Sequence, residues 1–180
     1  MKYMFASDVH GSAYYCRKML DAYKEEKAER LVLLGDLLYH GPRNDLPKEY
    51  APKEVIAMLN EMKKEIYAVR GNCEAEVDQM VLQFPVMADY CILNLDGRTF
   101  YATHGHVYNE NNLPPIQEGD ILIHGHTHVL RAERKEGYVI LNPGSVSIPK
   151  EGNPPTYAIF EYGVFTIKDF EGNIVKSIDL

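Results

Sequence analysis

Five short apolar runs in this chain each stop at a polar residue able to bind a metal ion. "YMFA" leads into Ser7, Asp8, Val9 and His10; "LVLLG" leads into Asp36; "IYAVRG" leads into Asn72. "FYAT" leads into His104 and His106, and "ILI" leads into His124, His126 and His128. Each run has the length and composition of a buried strand. Ligands of α/β proteins gather beyond the carboxyl ends of strands. A fold that brings these five ends together would build one polar site, and that requirement constrains the chain more than any other feature. All seven histidines (10, 40, 104, 106, 124, 126 and 128) lie in or beside these stretches, and none falls in the last fifty residues.

The segments between the runs set the fold class. Residues 13–29 carry Tyr15, Met19, Leu20 and Tyr23 at helical spacing, with Ser12 placed to cap them. "KEVIAMLNEMKKE" puts Val55, Met58, Leu59 and Met62 on one helical face. The first seventy residues therefore read β-α-β-α-β, which predicts a parallel sheet with right-handed crossovers. Residues 40–52 hold Pro42, Pro47 and Pro52 and read as an ordered loop. After a short helix near residues 76–82 the texture changes to strands and tight turns, with Asp-Gly, Glu-Gly and Tyr-Gly pairs marking hairpins. This half is expected to be mostly antiparallel. No linker divides the halves, so residues 1–180 are expected to form one domain of two packed sheets flanked by helices.

Bulk properties narrow the function. The formal net charge is −7, which disfavours a long nucleic-acid partner, because that grip needs clustered Lys and Arg. No run approaches the ~18 apolar residues of a membrane span, and the first residues are too short on apolar character for a secretion signal. Cys16, Cys73 and Cys91 are odd in number and widely spaced, which does not suit a disulfide framework. A cytoplasmic location is the expectation.

The chemistry follows from the donor types. Asp, Asn and neutral His are hard-to-borderline ligands that suit Mn, Fe, Zn, Co or Ni rather than a soft thiolate site. Asp8, Asp36, Asn72 and four histidines supply enough donors for two divalent ions if one carboxylate is shared. Two aspartates against two divalent ions leave an excess of two positive charges, so an acidic protein would gain a pocket for a phosphate ester. Two ions ~3.5–4 Å apart can activate a bridging water and clamp phosphate oxygens during in-line attack. In the Pro-rich loop, Arg43 offers a planar fork of donors for phosphate and Asn44 an amide.

At these residues the sequence resembles the calcineurin-like metallophosphoesterase superfamily, whose pattern D-x-H, G-D, G-N, H-G-H, G-H-x-H it matches in order. "MFASDVHGS", "GDLLYHGPRNDLP", "AVRGNCEAEVDQM", "THGH", "HGHTH" and "NPGSVSIPKEGNP" resemble the YfcE-type bacterial phosphodiesterases in particular, and they span residues 4–154. The resemblance implies a four-layer α-β-β-α sandwich of two mixed sheets and a dinuclear site served by manganese. It implies that Asp8, His10 and His128 hold one ion, that Asn72, His104 and His126 hold the other, and that Asp36 bridges them. "NPGS" at 142–145 resembles the family's site-lining turn.

Many members of the superfamily carry His where this chain has Cys73. A thiol is a poor general acid, so His106 and His40 become the candidates for protonating the leaving group. His106 could instead contact phosphate or orient His104, and His124 reads as a packed or solvated strand residue rather than a ligand. The function expected is hydrolysis of phosphodiesters by a hydroxide bridging two metal ions, with a small phosphate ester as substrate. The rivals are a phosphomonoesterase and a non-catalytic scaffold, the latter because the phosphoesterase-like subunit of retromer resembles this fold yet serves as a binding module. A homo-oligomer is compatible with the sequence.

Overall fold

The first half folds as its alternation predicts. The structure is a computed structural model that describes residues 1–180. β1 (Tyr3–Ala6), α1 (Ala13–Glu25), β2 (Arg30–Leu33), α2 (Pro52–Glu61) and β3 (Ile66–Ala68) follow in order. The three strands pair in parallel in the order β1-β2-β3. The Ser12 hydroxyl caps α1, accepting from the Tyr15 N–H at 3.2 Å. Cys16, Met19, Leu20 and Tyr23 bury the inner face of α1 beside Val55 and Leu59 of α2. Tyr15, expected in that stripe, is only half-buried. α1 also ends before residue 29, since Lys27 adopts a left-handed backbone with φ 54°.

α3 (Glu76–Val81) is the last helix, and eight strands follow: β4 (Tyr90–Leu95), β5 (Arg98–Thr103), β6 (Asp120–Ile123), β7 (Arg131–Arg134), β8 (Tyr138–Asn142), β9 (Thr156–Glu161), β10 (Val164–Asp169) and β11 (Ile174–Asp179). The first sheet has the order β11-β10-β9-β1-β2-β3 and the second β4-β5-β6-β8-β7. Asp96-Gly97 and Tyr162-Gly163 form hairpin turns with both residues at positive φ, as the sequence suggests. The second half is mostly antiparallel as expected, with an exception in the second sheet. β5, β6 and β8 run parallel at the centre of the second sheet, with antiparallel partners only at its edges. The long connections after β5 and β6, which carry the histidine motifs, make those parallel crossovers without a helix.

The two mixed sheets of the expected sandwich are present, with one refinement. No helix follows residue 81, and Leu122 and Ile140 on the second sheet are nevertheless fully buried. The Tyr101 hydroxyl donates to the Pro115 carbonyl at 3.1 Å, which ties the 107–118 segment to the second sheet. Pro114, Pro115 and three asparagines suit that segment to a loop. Between the sheets, Phe5 stacks on Phe100 at 6.0 Å and Phe100 meets Phe160 edge-on at 5.0 Å. Burial of each such ring contributes roughly 1.5–3 kcal/mol and fixes how the two sheets face each other. Cys16 is a core residue, whereas Cys91 on the edge strand β4 is only half-buried. No helix is long and apolar enough to cross a membrane.

Candidate metal centre

All five polar strand ends converge. Asp8 and His10 follow β1, Asp36 follows β2, Asn72 follows β3, His104 follows β5, and His126 and His128 follow β6. Asp8, His10, Asp36, His126 and His128 have φ between 48° and 65°. A non-glycine residue held there costs on the order of 1–3 kcal/mol, and such strain persists where the surroundings over-determine it. Here the surroundings are explicit. The Asp8 N–H donates to Gly35 O at 3.1 Å and the His10 N–H to Asp36 O at 2.9 Å. Gly125 must lack a side chain, because a Cβ there would strike the Ser7 hydroxyl and approach Asp8 Oδ2 to 2.8 Å.

The side chains form two groups that share one carboxylate. In the first, Asp8 Oδ1 lies 3.3 Å from His128 Nε2 and 3.7 Å from His10 Nε2, and the two imidazole nitrogens are 3.3 Å apart. In the second, His104 Nε2 lies 3.1 Å from Asn72 Oδ1 and 3.3 Å from His126 Nδ1. Asp36 Oδ2 faces both, 3.7 Å from His10 Nε2 and 3.4 Å from His104 Nε2. His10, His104 and His128 each set Nδ1 against a backbone carbonyl, of Tyr39, Leu34 and Ile148 respectively, at 2.6–2.7 Å. An Nδ1–H donated to a carbonyl fixes the tautomer and leaves the Nε2 lone pair facing the centre, the arrangement metal-binding imidazoles adopt.

A divalent ion fits this donor set. Asp8, His10, Asp36, His104 and His128 are at most 4% exposed. Asp8 Oδ1 has no hydrogen-bond partner at all. A buried carboxylate oxygen with no donor is costly unless a cation neutralises it.

Without an ion, protons perform part of that neutralisation. Burial alone would raise the Asp8 pKa, but the adjacent His10 and His128 rings, able to take up protons, outweigh it and hold the carboxyl well below the usual range. Burial opposes charge on His104, yet its hydrogen bond to Asp36 and the fields of both aspartates hold it up to about 9. Burial and the neighbouring His104 charge push His126 down to about 4, so that its ring is neutral. The raised His104 value stabilises the metal-free fold fully below pH ~6.5, the ordinary His value. That contribution is lost as pH rises through about 9. An ion needs the neutral imidazole, so binding must release the proton. Calorimetry with Mn²⁺ in buffers of different ionisation enthalpy is expected to show proton release at pH 7 and tighter binding as pH rises toward 9. PH-independent affinity without proton release would contradict this protonation scheme.

The other residues predicted from sequence are placed less uniformly. Arg43 and Asn44 line a cleft of about 430 Å³ over the centre, with Asp36, Asn72, His126 and His128. His106 lies beside the centre, its ring 5.4 Å from that of His104, and lines a second cleft. His40, the other candidate proton donor, does not line the first cleft; its ring sits edge-on between Tyr39 and Tyr50. His124 is buried against Gly105 as expected of a packed residue, and it also borders the second cleft. "NPGS" underpins the centre from below. Ser145 and Ser147 hydroxyls both donate to the Asp8 carbonyl, at 2.9 and 3.1 Å. The Asn142 amide donates to Gly125 O at 2.9 Å and Thr127 Oγ1 at 3.1 Å.

Two residues escaped the sequence reading. Lys150 lines the first cleft and adds a second cation opposite no new carboxylate. Glu74 is 6% exposed and accepts backbone N–H groups of Asp36 at 2.8 Å, Leu37 at 2.7 Å and Gly71 at 2.5 Å. Burial and the Asp36 charge push its pKa up, while the three N–H donors act in the opposite direction. It ties the loop carrying Asn72 to the loop carrying Asp36. Its signal in the sequence was an acid two residues after Asn72, which nothing in spacing separates from a surface charge.

Comparison with known proteins agrees with this geometry. The family model for the calcineurin-like phosphoesterase superfamily domain matches residues 1–163. The phosphodiesterase YfcE of Escherichia coli (strain K12) is 46% identical over 167 residues, covering 93% of this chain and 91% of that protein. The solved structure of YfcE, a phosphoesterase from E. coli, superposes with a TM-score of 0.97 at 43% identity and covers 99% of both chains. Zinc-bound Vps29 from Entamoeba histolytica shares the fold, with a TM-score of 0.61 at 18% identity over 99% of both chains. Matched by the family model over most of its length and by a relative of this identity, the chain belongs to the calcineurin-like phosphoesterase superfamily.

Proposed function

We propose that this protein is a metal-dependent phosphodiesterase acting on a small phosphate ester, with two divalent ions, Mn²⁺ foremost, at the convergent strand ends. Asp8, His10 and His128 hold one ion, Asn72, His104 and His126 hold the other, and Asp36 is common to both. The observation that carries the reading is Asp36 Oδ2, which lies within 3.7 Å of the donor nitrogens of both groups. Similarity to a phosphodiesterase over most of the chain supports the substrate class. Ions bound there would supply Lewis acidity and lower the pKa of water in the site. The chain's own residues do the rest. Carbonyl contacts hold the histidine rings in place, and the buried aspartates offset the ionic charge. Arg43 and Lys150 stand over the cleft as the cations available to a phosphate oxygen. Three unpaired thiols suit a reducing, cytoplasmic setting.

Neither His106 nor Cys73 is a strong acid. Burial, then the charge on His104, lowers the His106 pKa and leaves that ring neutral near pH 7. Burial and the carboxylates of Asp36 and Glu74 raise the Cys73 pKa, so the thiol stays protonated and unreactive. Cys73→Ser is therefore expected to keep aryl diester hydrolysis within a few-fold of the parent. A loss as large as that of Asp36→Asn would give Cys73 a direct role.

The reading is tested by assaying an aryl phosphodiester beside its monoester, with chelator-stripped protein and Mn²⁺ added back. Restored diester cleavage with slower monoester cleavage is the expected outcome. A monoester preference would move the assignment to a phosphomonoesterase, and no turnover with any divalent ion would favour the scaffold.

A further inference from the structure

The two clefts beside the centre differ in charge, and His126 and Thr127 belong to the walls of both. The first is lined by Arg43 and Lys150, with Asp36 as its one carboxylate. The second, of about 510 Å³, is lined by Glu110, Glu133 and Glu151 against the single cation Arg131. Its size falls in the ~300–1,000 Å³ range of small-molecule sites. A phosphodiester presents two arms, and a phosphate held at the shared wall must send them toward environments of opposite sign.

The second cleft is built for hydrogen bonding. Arg131 clamps Glu110 through two hydrogen bonds at 2.6 and 3.1 Å and Glu133 through a third at 3.0 Å. The carboxylates are thereby fixed while keeping lone pairs for further donors. The Asn109 amide is anchored on Gly105 O at 2.9 Å. Two ring nitrogens have no partner, Nδ1 of His106 and Nε2 of His124, and His124 is only 4% exposed. Val129 and Leu130 are the only apolar side chains of the lining, so an aryl or lipid arm finds little to bury against. Arg131, together with the Lys135 ammonium 3.8 Å from Glu110 and 3.7 Å from Glu133, leaves the three carboxylates one negative charge in excess, which disfavours a second phosphate. What remains is an uncharged arm rich in hydroxyls.

We propose that the cleft beyond His126 binds a hydroxyl-bearing, uncharged ester arm, of the polyol or sugar class; this rests on the phosphodiesterase reading. The arm's hydroxyls donate to the anchored carboxylates and to the free imidazole nitrogen of His124 and accept from the amides, while any anionic group of the substrate lies toward Arg43 and Lys150.

The probes are glyceryl phosphate and propyl phosphate, equal in charge and differing only in two hydroxyls. Each is measured as a competitive inhibitor of aryl phosphodiester hydrolysis by the Mn²⁺-loaded protein. Glyceryl phosphate is expected to inhibit about tenfold more strongly, the gain from two hydroxyl hydrogen bonds of ordinary net strength. Glu110→Ala combined with Asn111→Ala, both exposed residues of this cleft, is expected to bring the ratio to about one. Lys150→Ala should weaken both inhibitors alike and keep the ratio. A parent ratio near one overturns the proposal. So does a ratio that survives the double variant or disappears in Lys150→Ala, because the arm then lies elsewhere. Failure to hydrolyse the aryl diester with any ion would instead remove the phosphodiesterase reading itself, and this inference with it.

Discussion

Asp36→Asn is expected to lower metal-dependent diester hydrolysis by at least ~100-fold while leaving the protein folded. Removal of groups that merely orient a metal ligand costs about 10–100-fold in metal affinity or activity. Asp36 faces both donor groups directly, so its loss should exceed that range. The fold should survive because an asparagine can still accept the Cys73 N–H, now bonded to Asp36 Oδ1 at 2.9 Å. A second signature separates this effect from simple damage. The hydrogen bond to Asp36 is the largest influence raising the His104 pKa to about 9. In the variant that value falls toward the ordinary ~6.5, and the metal-free protein loses less stability between pH 6.5 and 9. Near-parental activity in a variant with normal circular dichroism would remove Asp36 from the centre.

Glu74→Ala is expected to be the most destabilising single change near the site. It strips three buried N–H groups, on Asp36, Leu37 and Gly71, of their only acceptor. Each unsatisfied buried donor costs about 1–3 kcal/mol. With partial relief from entering water, a loss of several kcal/mol follows, or a fall of roughly 10 °C in Tm for a chain of this size. Glu74→Gln keeps one carbonyl oxygen and should fall between the two. Mn²⁺ affinity should weaken alongside, because Glu74 sets the spacing of the Asp36 and Asn72 loops. Thermal unfolding with and without Mn²⁺ reads both effects, and a Tm change below about 2 °C would show that Glu74 is not the tie it forms in the structure.

The contrast between these two residues shows what the sequence could disclose. Asp36 was legible because it ends an apolar run, and strand ends are where α/β folds place ligands. All seven proposed ligands share that property, and the fold brings all seven together. Glu74 acts on backbone N–H groups across 38 and 37 positions of chain, a contact with no periodic trace. Asn142 and Ser145 were noticed only as a turn, and their support of Gly125 and Asp8 appears once the sheets are packed. His40 is placed differently from the ligands. Proximity to Asp36 in sequence suggested a catalytic group, and in the fold its ring lies edge-on to Tyr39 and Tyr50 and outside the lining of the first cleft. The parallel pairing of β5, β6 and β8 was hidden because their connections contain no helix to announce a crossover. Glycine pairs mark a hairpin locally, whereas a loop crossover leaves no comparable mark.

The central claim is that one chain holds two ions around Asp36 and that hydrolysis depends on both. Titration of Mn²⁺ into chelator-stripped protein, following bound metal and aryl diester hydrolysis together, tests it most directly. Activity should be absent at the start, rise with occupancy and reach its plateau at two ions per chain, with Asp36→Asn never approaching that plateau. Full activity in the stripped protein, or a plateau at a single ion, would contradict the account.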